Sequence, residues 1–341
     1  MKIEEQFIIY NKTCLYDSIK NQTIVYCQYT PEEPVTVFQA DEDVSVIHCT
    51  NDVAWTDKFG WDVTRPEFVV VIPGKPQYIH NVVIQTSTEL TRIPQLRLDI
   101  INSDQHKLSL SGESAIITTI CKDYGHRLDE WIKYHLNMGF DGIVIFDNDS
   151  NTSNQINEGS PKPGNIASVQ NICNKYRNHV YRVEFPYTPL LGPNWDYWNS
   201  MQRISLSLGV NAFKNQCKNI ALIDADEFIH IPSGENVKQL LQRHKTIQMS
   251  SNIITNKGDH DIVNNNILDM ELYVGEPKFN KVILDTTTLQ PGDMFIRTPH
   301  DHPTQTTLDC DTIVHYHAWM NERYKYSCDM KSVNLFNFKT R

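Results

Sequence analysis

The chain has 341 residues, of which 40% are apolar, with 14 glycines and 16 prolines. This composition is typical of a globular protein long enough for one large domain or two smaller ones. The formal net charge of −10 argues against a nucleic-acid-binding protein, because such proteins present a basic surface to phosphates. A polyphosphate ligand stays compatible with an acidic chain if a metal ion neutralises it.

Apolar runs and cysteines bear on the location of the protein. No run reaches the length of a membrane-spanning helix, and the segment from Met1 to Gln6 lacks the apolar core of a signal peptide. The eight cysteines show no C-x-x-C spacing, so free thiols are expected rather than disulfides. We therefore expect a protein without a membrane span in the cytoplasm. The abundance of Asn, Ile and Lys suggests an AT-rich genome, such as that of a virus replicating in host cytoplasm.

Residues 1–112 contain short β-branched or alternating runs separated by turn residues. Examples are Ile24 to Tyr26, Val35 to Phe38 and Phe68 to Ile72. No helical period appears, so this region is predicted to be an antiparallel β unit. It carries no chemical motif, and the sequence assigns it no role.

Residues 113–341 show strand patterns that alternate with helix patterns. Ala115 to Cys121 is an apolar and threonine run typical of a buried parallel strand. His126 to Met138 has one apolar helical face, and Gly139 is placed to end that helix. This alternation predicts an α/β domain with a mostly parallel sheet flanked by helices. Its ligands should bind at the carboxyl ends of the strands. The later predicted elements are a strand at 142–146, a helix at about 166–177, a strand at 179–184, a helix at 200–216 and a strand at 219–224.

Three acidic residues, Asp224, Asp226 and Glu227, follow the last of these strands. Side chains alternate along an extended chain, so Asp224 and Asp226 should share a face while Glu227 points elsewhere. Two carboxylates at the end of a strand suit Mg²⁺ or Mn²⁺, which prefer oxygen ligands. The alternative is an acidic loop or a helix N-cap.

Polar residues also follow the first two predicted strands, at Lys122 and Asp123 and again at Asp147 and Asn148. The ends of neighbouring parallel strands meet in one cleft, where Asp123 and Asp147 are candidates to accept hydrogen bonds from a base or ribose. The alternative is helix capping and loop solubility.

The ordered set of these motifs resembles glycosyltransferase family 92 and related family-2-like enzymes over about Ser114 to Lys331. Lys122 to Trp131 is similar to the family's K-N-E…L-P-E-W, although Asp123 and Tyr124 stand where the family has Asn and Glu. The other matching pieces are Tyr134 to Gly139 (Y-H-L-x-x-G), Phe146 to Ser150 (Y-D-N-x-S), Gln202 (a recurring glutamine), Ile223 to Phe228 (D-x-D-E-F) and His315-Tyr316 (a late H-Y).

The resemblance implies a GT-A fold, a nucleotide-diphosphate-sugar donor such as UDP-galactose, and inversion at the anomeric carbon. It implies a metal site of Asp224, Asp226 and His315, holding Mn²⁺ or Mg²⁺. The donor-binding residues would be Lys122, Asp123, Asp147, Asn148, Gln202 and Asp224.

Thr312 to Trp319 reads as a strand that places His315 and His317 on one face. Their Cα atoms would lie roughly 6.6 Å apart, so we expect only one of them to bind the ion. His315 is favoured because it matches the family's H-Y, and His317 should then line the acceptor side. The alternative is a pair of ordinary hydrogen-bonded histidines.

The sequence therefore predicts transfer of a sugar from a nucleotide diphosphate to a glycan or other hydroxyl acceptor. A carboxylate would deprotonate the acceptor; the candidates are Glu276, Asp293 and Asp301, with Asp293 preferred. Two other functions remain open. A metal-dependent phosphohydrolase would act on phosphate esters without a sugar acceptor, and a non-catalytic glycan-binding protein would bind glycans in the presence of EDTA.

Overall fold

A computed structural model provides the structure of the chain, which divides into two compact units. One consists of Met1–His106 with Tyr187–Ala212, and the other of Lys107–Pro186 with Phe213–Arg341. The structure describes residues 7–9, 14–17, 19–29, 36–39, 45–50, 67–75, 77–85, 90–97, 100–102, 108–148, 150, 169–185, 194–256, 267, 272–277, 279–289, 296, 298–300, 302, 305–318 and 331–333.

The described elements up to residue 102 are strands. They are β1 (Phe7–Ile9), β2 (Cys14–Asp17), β3 (Gln22–Tyr29), β4 (Thr36–Gln39), β5 (Ser45–Thr50), β6 (Glu67–Pro73), β7 (Tyr78–Gln85), β8 (Leu90–Arg97) and β9 (Ile100–Asn102).

Strands and helices alternate at first in the rest of the chain, and strands dominate later. The elements are β10 (Ala115–Cys121), α1 (Gly125–Met138), β11 (Gly142–Asp147), α2 (Val169–Lys175), β12 (Val180–Glu184), α3 (Asn194–Phe213), β13 (Asn219–Leu222), β14 (Glu227–His230), α4 (Val237–Arg243), β15 (Ile247–Asn256), β16 (Leu272–Pro277), β17 (Lys281–Asp285), a 3₁₀ turn (Thr286–Thr288), β18 (Thr306–Leu308), β19 (Val314–Ala318) and β20 (Lys331–Val333).

The first unit contains two β-sheets. One has the order β5-β6-β3-β2-β9 with β1 beside β3, and the other has the order β4-β7-β8. The pairings are antiparallel apart from that of β2 with β9. Most of α3 belongs to this unit, where the Asn211 amide donates to the Tyr26 hydroxyl over 2.9 Å. The described elements of the N-terminal region are strands, and its bounds as a separate region stay a prediction.

The second unit is built on one sheet with the order β12-β11-β10-β13-β17-β15-β16-β20, in which β14, β18 and β19 join at the side. The pairings among β10, β11, β12 and β13 are parallel, whereas β17 runs antiparallel to β13. The expected mostly parallel sheet is therefore corrected to a mixed one. The antiparallel pairing arises because β16 and β17 fold back along β15, so β17 reaches β13 without the long crossover that a parallel neighbour needs.

Helix α1 packs on the sheet of this unit through the apolar face that the sequence predicted. Leu128, Trp131 and Ile132 belong to one buried cluster with residues of β10 and β11. The helix ends at Gly139, whose φ of 109° suits glycine. Every residue of β10 is buried, as expected for an internal strand. This packing holds the carboxyl ends of β10 and β11 beside the start of α1.

Two expectations about location and redox state can be compared with the described residues. None of their helices is long and apolar enough to cross a membrane. Five of the cysteines are free, with Cys310 exposed and Cys14, Cys121, Cys173 and Cys217 buried.

Candidate metal and donor site

The acidic residues after β13 form a turn closed by two hydrogen bonds. The Glu227 N–H donates to the Asp224 carbonyl over 3.1 Å, and the Asp224 N–H donates to Glu227 Oε2 over 2.9 Å. β13 ends at Leu222 and alternation holds only within a strand, so the shared face of Asp224 and Asp226 stays a prediction. Asp224 and Glu227 contact one partner, and Asp226 contacts another.

Lys281, the first residue of β17, is the partner shared by the two ends of the turn. Its Nζ lies 2.7 Å from Asp224 Oδ2 and 3.5 Å from Glu227 Oε2, and its side chain is only 2% exposed. Burial lowers the pKa of Lys281, but the charges of Asp224 and Glu227 outweigh this effect and raise it. The ammonium group therefore stays charged inside the protein.

Asp226 contacts His317 at a partly exposed position. Asp226 Oδ2 lies 2.9 Å from His317 Nε2, and the two side chains are 34% and 22% exposed. Burial lowers the pKa of His317, but Asp226 outweighs it and raises the pKa to about 9. Burial in turn raises the pKa of Asp226, and the charge of His317 more than offsets this rise, so the pKa is lowered. The metal-free pair is therefore ionic at neutral pH.

His315 lies deeper on β19, against Glu227. Its Nε2 is 3.1 Å from the Phe279 carbonyl, which can only accept, so Nε2 carries the proton. Its Nδ1 is 3.6 Å from Glu227 Oε1 and has no hydrogen-bond partner among the described residues. Burial, with the nearby charge of Lys281, lowers the pKa of His315 well below its usual value. Burial also raises the pKa of Glu227, and the charge of Lys281 acts in the opposite direction.

Helix α1 holds the backbone that follows the acidic turn. Trp131 Nε1 donates to the Glu227 carbonyl over 2.7 Å, and the Tyr134 hydroxyl donates to the Ile229 carbonyl over 2.8 Å. The Ile229 N–H donates to His135 Nε2 over 3.3 Å, which leaves the ring proton on Nδ1, 2.9 Å from the Trp131 carbonyl. Trp131 and His135 are thus packed helix residues. We call the side chains of Trp131, Tyr134 and His135 the α1 clamp.

The ends of β10 and β11 bring the predicted donor-binding residues together. The register pairs Cys121 with Asp147, so Lys122 and Asn148 follow at the same edge of the sheet. Lys122 is exposed, whereas Asp147 and Asn148 are buried. Asp123 has a φ of 53°, a left-handed conformation that aspartate adopts more easily than most residues.

The side chains of this edge already have partners within the protein. Asp147 accepts from Arg182 Nε over 2.6 Å and from the Ser150 N–H over 3.1 Å. The Asn148 amide donates to the Phe185 carbonyl over 2.9 Å. The Ser150 hydroxyl accepts from the Asp123 N–H over 2.9 Å. These contacts order the edge of the sheet, and the nucleoside role of Asp123 and Asp147 stays a prediction.

The remaining predicted residues lie elsewhere or outside the described residues. Gln202 is on α3, in the segment that belongs to the first unit, and its donor-binding role stays a prediction. Asp293 and Asp301 lie outside the described residues, and so does the side chain of Glu276. The choice of a catalytic base is therefore still the prediction made from the sequence.

Sequence reasoning missed Lys281 and the pairing of His317 with Asp226. The one sequence signal for Lys281 is a lysine at the start of the apolar run Val282-Ile283-Leu284. Such a lysine is usually at the surface, so only the antiparallel pairing of β17 with β13 reveals that it is buried beside the turn.

No family model matches the chain, whereas comparisons with curated proteins and with solved structures find similarities, of which we report one sequence match and two structural likenesses. The chain is 24% identical over 133 residues to a glycosyltransferase family 92 protein of Oryza sativa subsp. japonica. That alignment covers 39% of this chain and 19% of the rice protein, so the chain spans about a fifth of its relative.

The structural likenesses are to S. aureus TarS, residues 1–349. The structure in complex with UDP-GlcNAc has a TM-score of 0.35 at 11% identity, covering 61% of this chain and 59% of the TarS chain. The structure of TarS 1–349 alone has a TM-score of 0.31 at 11% identity, covering 60% of each chain. Of these comparisons, the sequence match supports a relationship between this chain and the glycosyltransferases.

Proposed function

We propose that the chain transfers a sugar from a nucleotide-diphosphate sugar, with UDP as the nucleotide, to a hydroxyl acceptor. The observation that carries the proposal is the acidic turn at the carboxyl end of β13, in which Asp226 is partly exposed and contacts His317. Ligands of α/β sheets bind at this edge. The similarity to a glycosyltransferase family 92 protein gives independent support.

Asp226 and His317 would hold a divalent cation, Mn²⁺ or Mg²⁺, and His317 would release the proton on its Nε2 in order to bind it. The Oδ2 atom of Asp226 and the Nε2 atom of His317 are 2.9 Å apart. A carboxylate oxygen and an imidazole nitrogen suit such an ion. Magnesium is usually held by one or two carboxylates together with substrate phosphates and water. The described part of the chain holds no group of three or more His, Cys, Asp or Glu ligands, so substrate phosphates and water would have to supply the remaining ligands.

The geometry favours His317 over His315 as the imidazole ligand. His315 is fully buried, and its protonated Nε2 faces the Phe279 carbonyl. Asp224 Oδ2 contacts Lys281, so Asp224 would contribute more to the conformation of the turn than to binding of the ion. Bound between Asp226 and the diphosphate, the cation would stabilise the charge that develops on the leaving group. Lys122, Asp123 and Asp147 would bind the nucleoside, and Asp293 would deprotonate the acceptor.

The proposal is tested by UDP binding to the whole chain, measured by calorimetry with Mn²⁺ and with EDTA. Asp226→Asn keeps the size of the side chain and removes its charge, and should weaken Mn²⁺-dependent binding about 100-fold or more. Asp311→Asn, at an exposed aspartate near β19, is the matched control and should bind as the unmodified chain does.

His317→Gln and His315→Gln separate the two histidines in the same assay. We expect the first to raise the Mn²⁺ concentration needed for half-maximal UDP binding, and the second to leave it within a factor of about two. Unchanged Mn²⁺-dependent binding in Asp226→Asn would refute the metal assignment. Hydrolysis of phosphate esters without a sugar acceptor would favour the phosphohydrolase instead.

A further inference from the structure

Lys281 is a buried cation that the proposed sugar transfer does not itself use. Its side chain is 2% exposed, so its ammonium group lies beneath the turn and not in contact with solvent-borne ligands. A buried lysine is costly unless it is paired and hydrogen-bonded. Lys281 contacts the residues at both ends of one short turn, Asp224 and Glu227, and this arrangement calls for a specific explanation.

We propose that Lys281 is a positioning residue: it closes the Asp224–Glu227 turn from below and so fixes the direction of Asp226. This inference rests on the proposed function, because the orientation of Asp226 matters only if Asp226 binds the cation.

The contacts that carry this inference form a closed ring. Lys281 Nζ contacts Asp224 Oδ2 at 2.7 Å and Glu227 Oε2 at 3.5 Å. Glu227 Oε2 also accepts from the Asp224 N–H, and the Glu227 N–H donates to the Asp224 carbonyl. One ammonium group thus bridges the first and last residues of the turn. Asp226 lies between them in the chain, and its side chain contacts His317.

The sheet fixes the position of Lys281 independently of the turn. Val282, the next residue of β17, pairs with Leu222, the last residue of β13, and Lys281 pairs with Met249 of β15. Strands on both sides therefore fix the backbone of Lys281, and its buried side chain carries the ammonium group to the turn.

Two roles for Lys281 predict opposite effects on cation binding. If Lys281 only supplied positive charge, its removal would make the cluster more negative and would strengthen the binding of Mn²⁺. If Lys281 positions the turn, its removal would release Asp224 and Glu227 and weaken binding in spite of the added negative charge. Residues that support metal ligands typically contribute roughly 10- to 100-fold in metal affinity.

The test measures the Mn²⁺ concentration that gives half-maximal UDP binding to the full chain. Lys281→Met keeps the length of the side chain and removes the charge, and we expect this concentration to rise about tenfold or more. Lys218→Met is the matched control, because Lys218 pairs with the exposed Glu113 at the surface; it should leave the value unchanged. Should Lys281→Met fail to fold, Lys281→Met with Glu227→Gln removes the cation together with one of its carboxylates, and the same rise is expected.

The results separate the two proposals. If the unmodified chain does not bind UDP in a Mn²⁺-dependent way, the proposed function is overturned. Normal binding in that chain, with an unchanged or lower Mn²⁺ requirement in the Lys281 variant, would overturn the positioning role alone. As a further readout, Asp224→Asn should weaken binding less in the Lys281→Met background than in the unmodified chain, because both changes act on one contact.

Discussion

Replacement of Trp131 by phenylalanine tests whether the α1 clamp holds the strand that follows the acidic turn. The indole Nε1–H donates to the Glu227 carbonyl over 2.7 Å, and the ring is fully buried. Leaving a buried carbonyl without its donor costs about 1–3 kcal/mol. The smaller ring leaves roughly 40 Å³ empty, which adds about 1 kcal/mol. We therefore expect Trp131→Phe to lower the free energy of unfolding by about 2–4 kcal/mol.

The assay is urea denaturation followed by circular dichroism, with UDP binding measured on the same samples. Tyr134→Phe is a companion change that removes one donor, the hydroxyl 2.8 Å from the Ile229 carbonyl, without altering the ring. It should cost about 1–3 kcal/mol. A loss below about 0.5 kcal/mol in Trp131→Phe, which is the range of ordinary surface substitutions, would refute the view that the clamp supports the turn.

Two further predictions concern pH and backbone conformation. Burial lowers the pKa of His135 to about 3, so below its ordinary pKa of about 6.5 only the unfolded chain binds the proton and stability falls. Between pH 7 and pH 5 the free energy of unfolding, measured by urea denaturation, should fall by about 2 kcal/mol more in the unmodified chain than in His135→Gln. An equal fall would contradict the assignment. His179→Gln, at an exposed histidine, is the control. Gly139→Ala should destabilise the chain by about 1 kcal/mol more than Gly234→Ala, measured as the shift in melting temperature. Both glycines have positive φ, but a Cβ at Gly139 would meet the capping side chain of Asn236 while one at Gly234 meets nothing; equal shifts would count against this.

Local sequence patterns predicted the elements around the site well. The strand Ala115 to Cys121 and the helix ending at Gly139 were found with nearly the predicted bounds. Both depend on local signals, namely a continuous apolar run and an apolar face at helical spacing followed by glycine. The same signals placed Asp224 and Asp226 just after the end of a strand, where the structure has them.

Non-local pairing could not be read from the chain. Lys281 lies more than fifty positions after Asp224, and only the antiparallel register of β17 brings them together. The alternation of side chains along β19 predicts neither how deeply each histidine is buried nor which carboxylate it contacts. That depends on the register with β14, which places His317 opposite Glu227 and His315 opposite Ile229.

The D-x-D-E pattern therefore combines residues with different physical tasks. Asp224 and Glu227 close the turn on Lys281, while Asp226 is directed outward to His317. Two carboxylates that faced one ion in the absence of other charges would repel each other and resist desolvation. Pairing Asp224 with a buried ammonium group removes that repulsion before any cation binds. A short acidic motif can thus keep its conformation without metal and, in the proposed function, still offer one carboxylate to an ion. The residues that surround the motif therefore determine its conformation as much as the motif itself does.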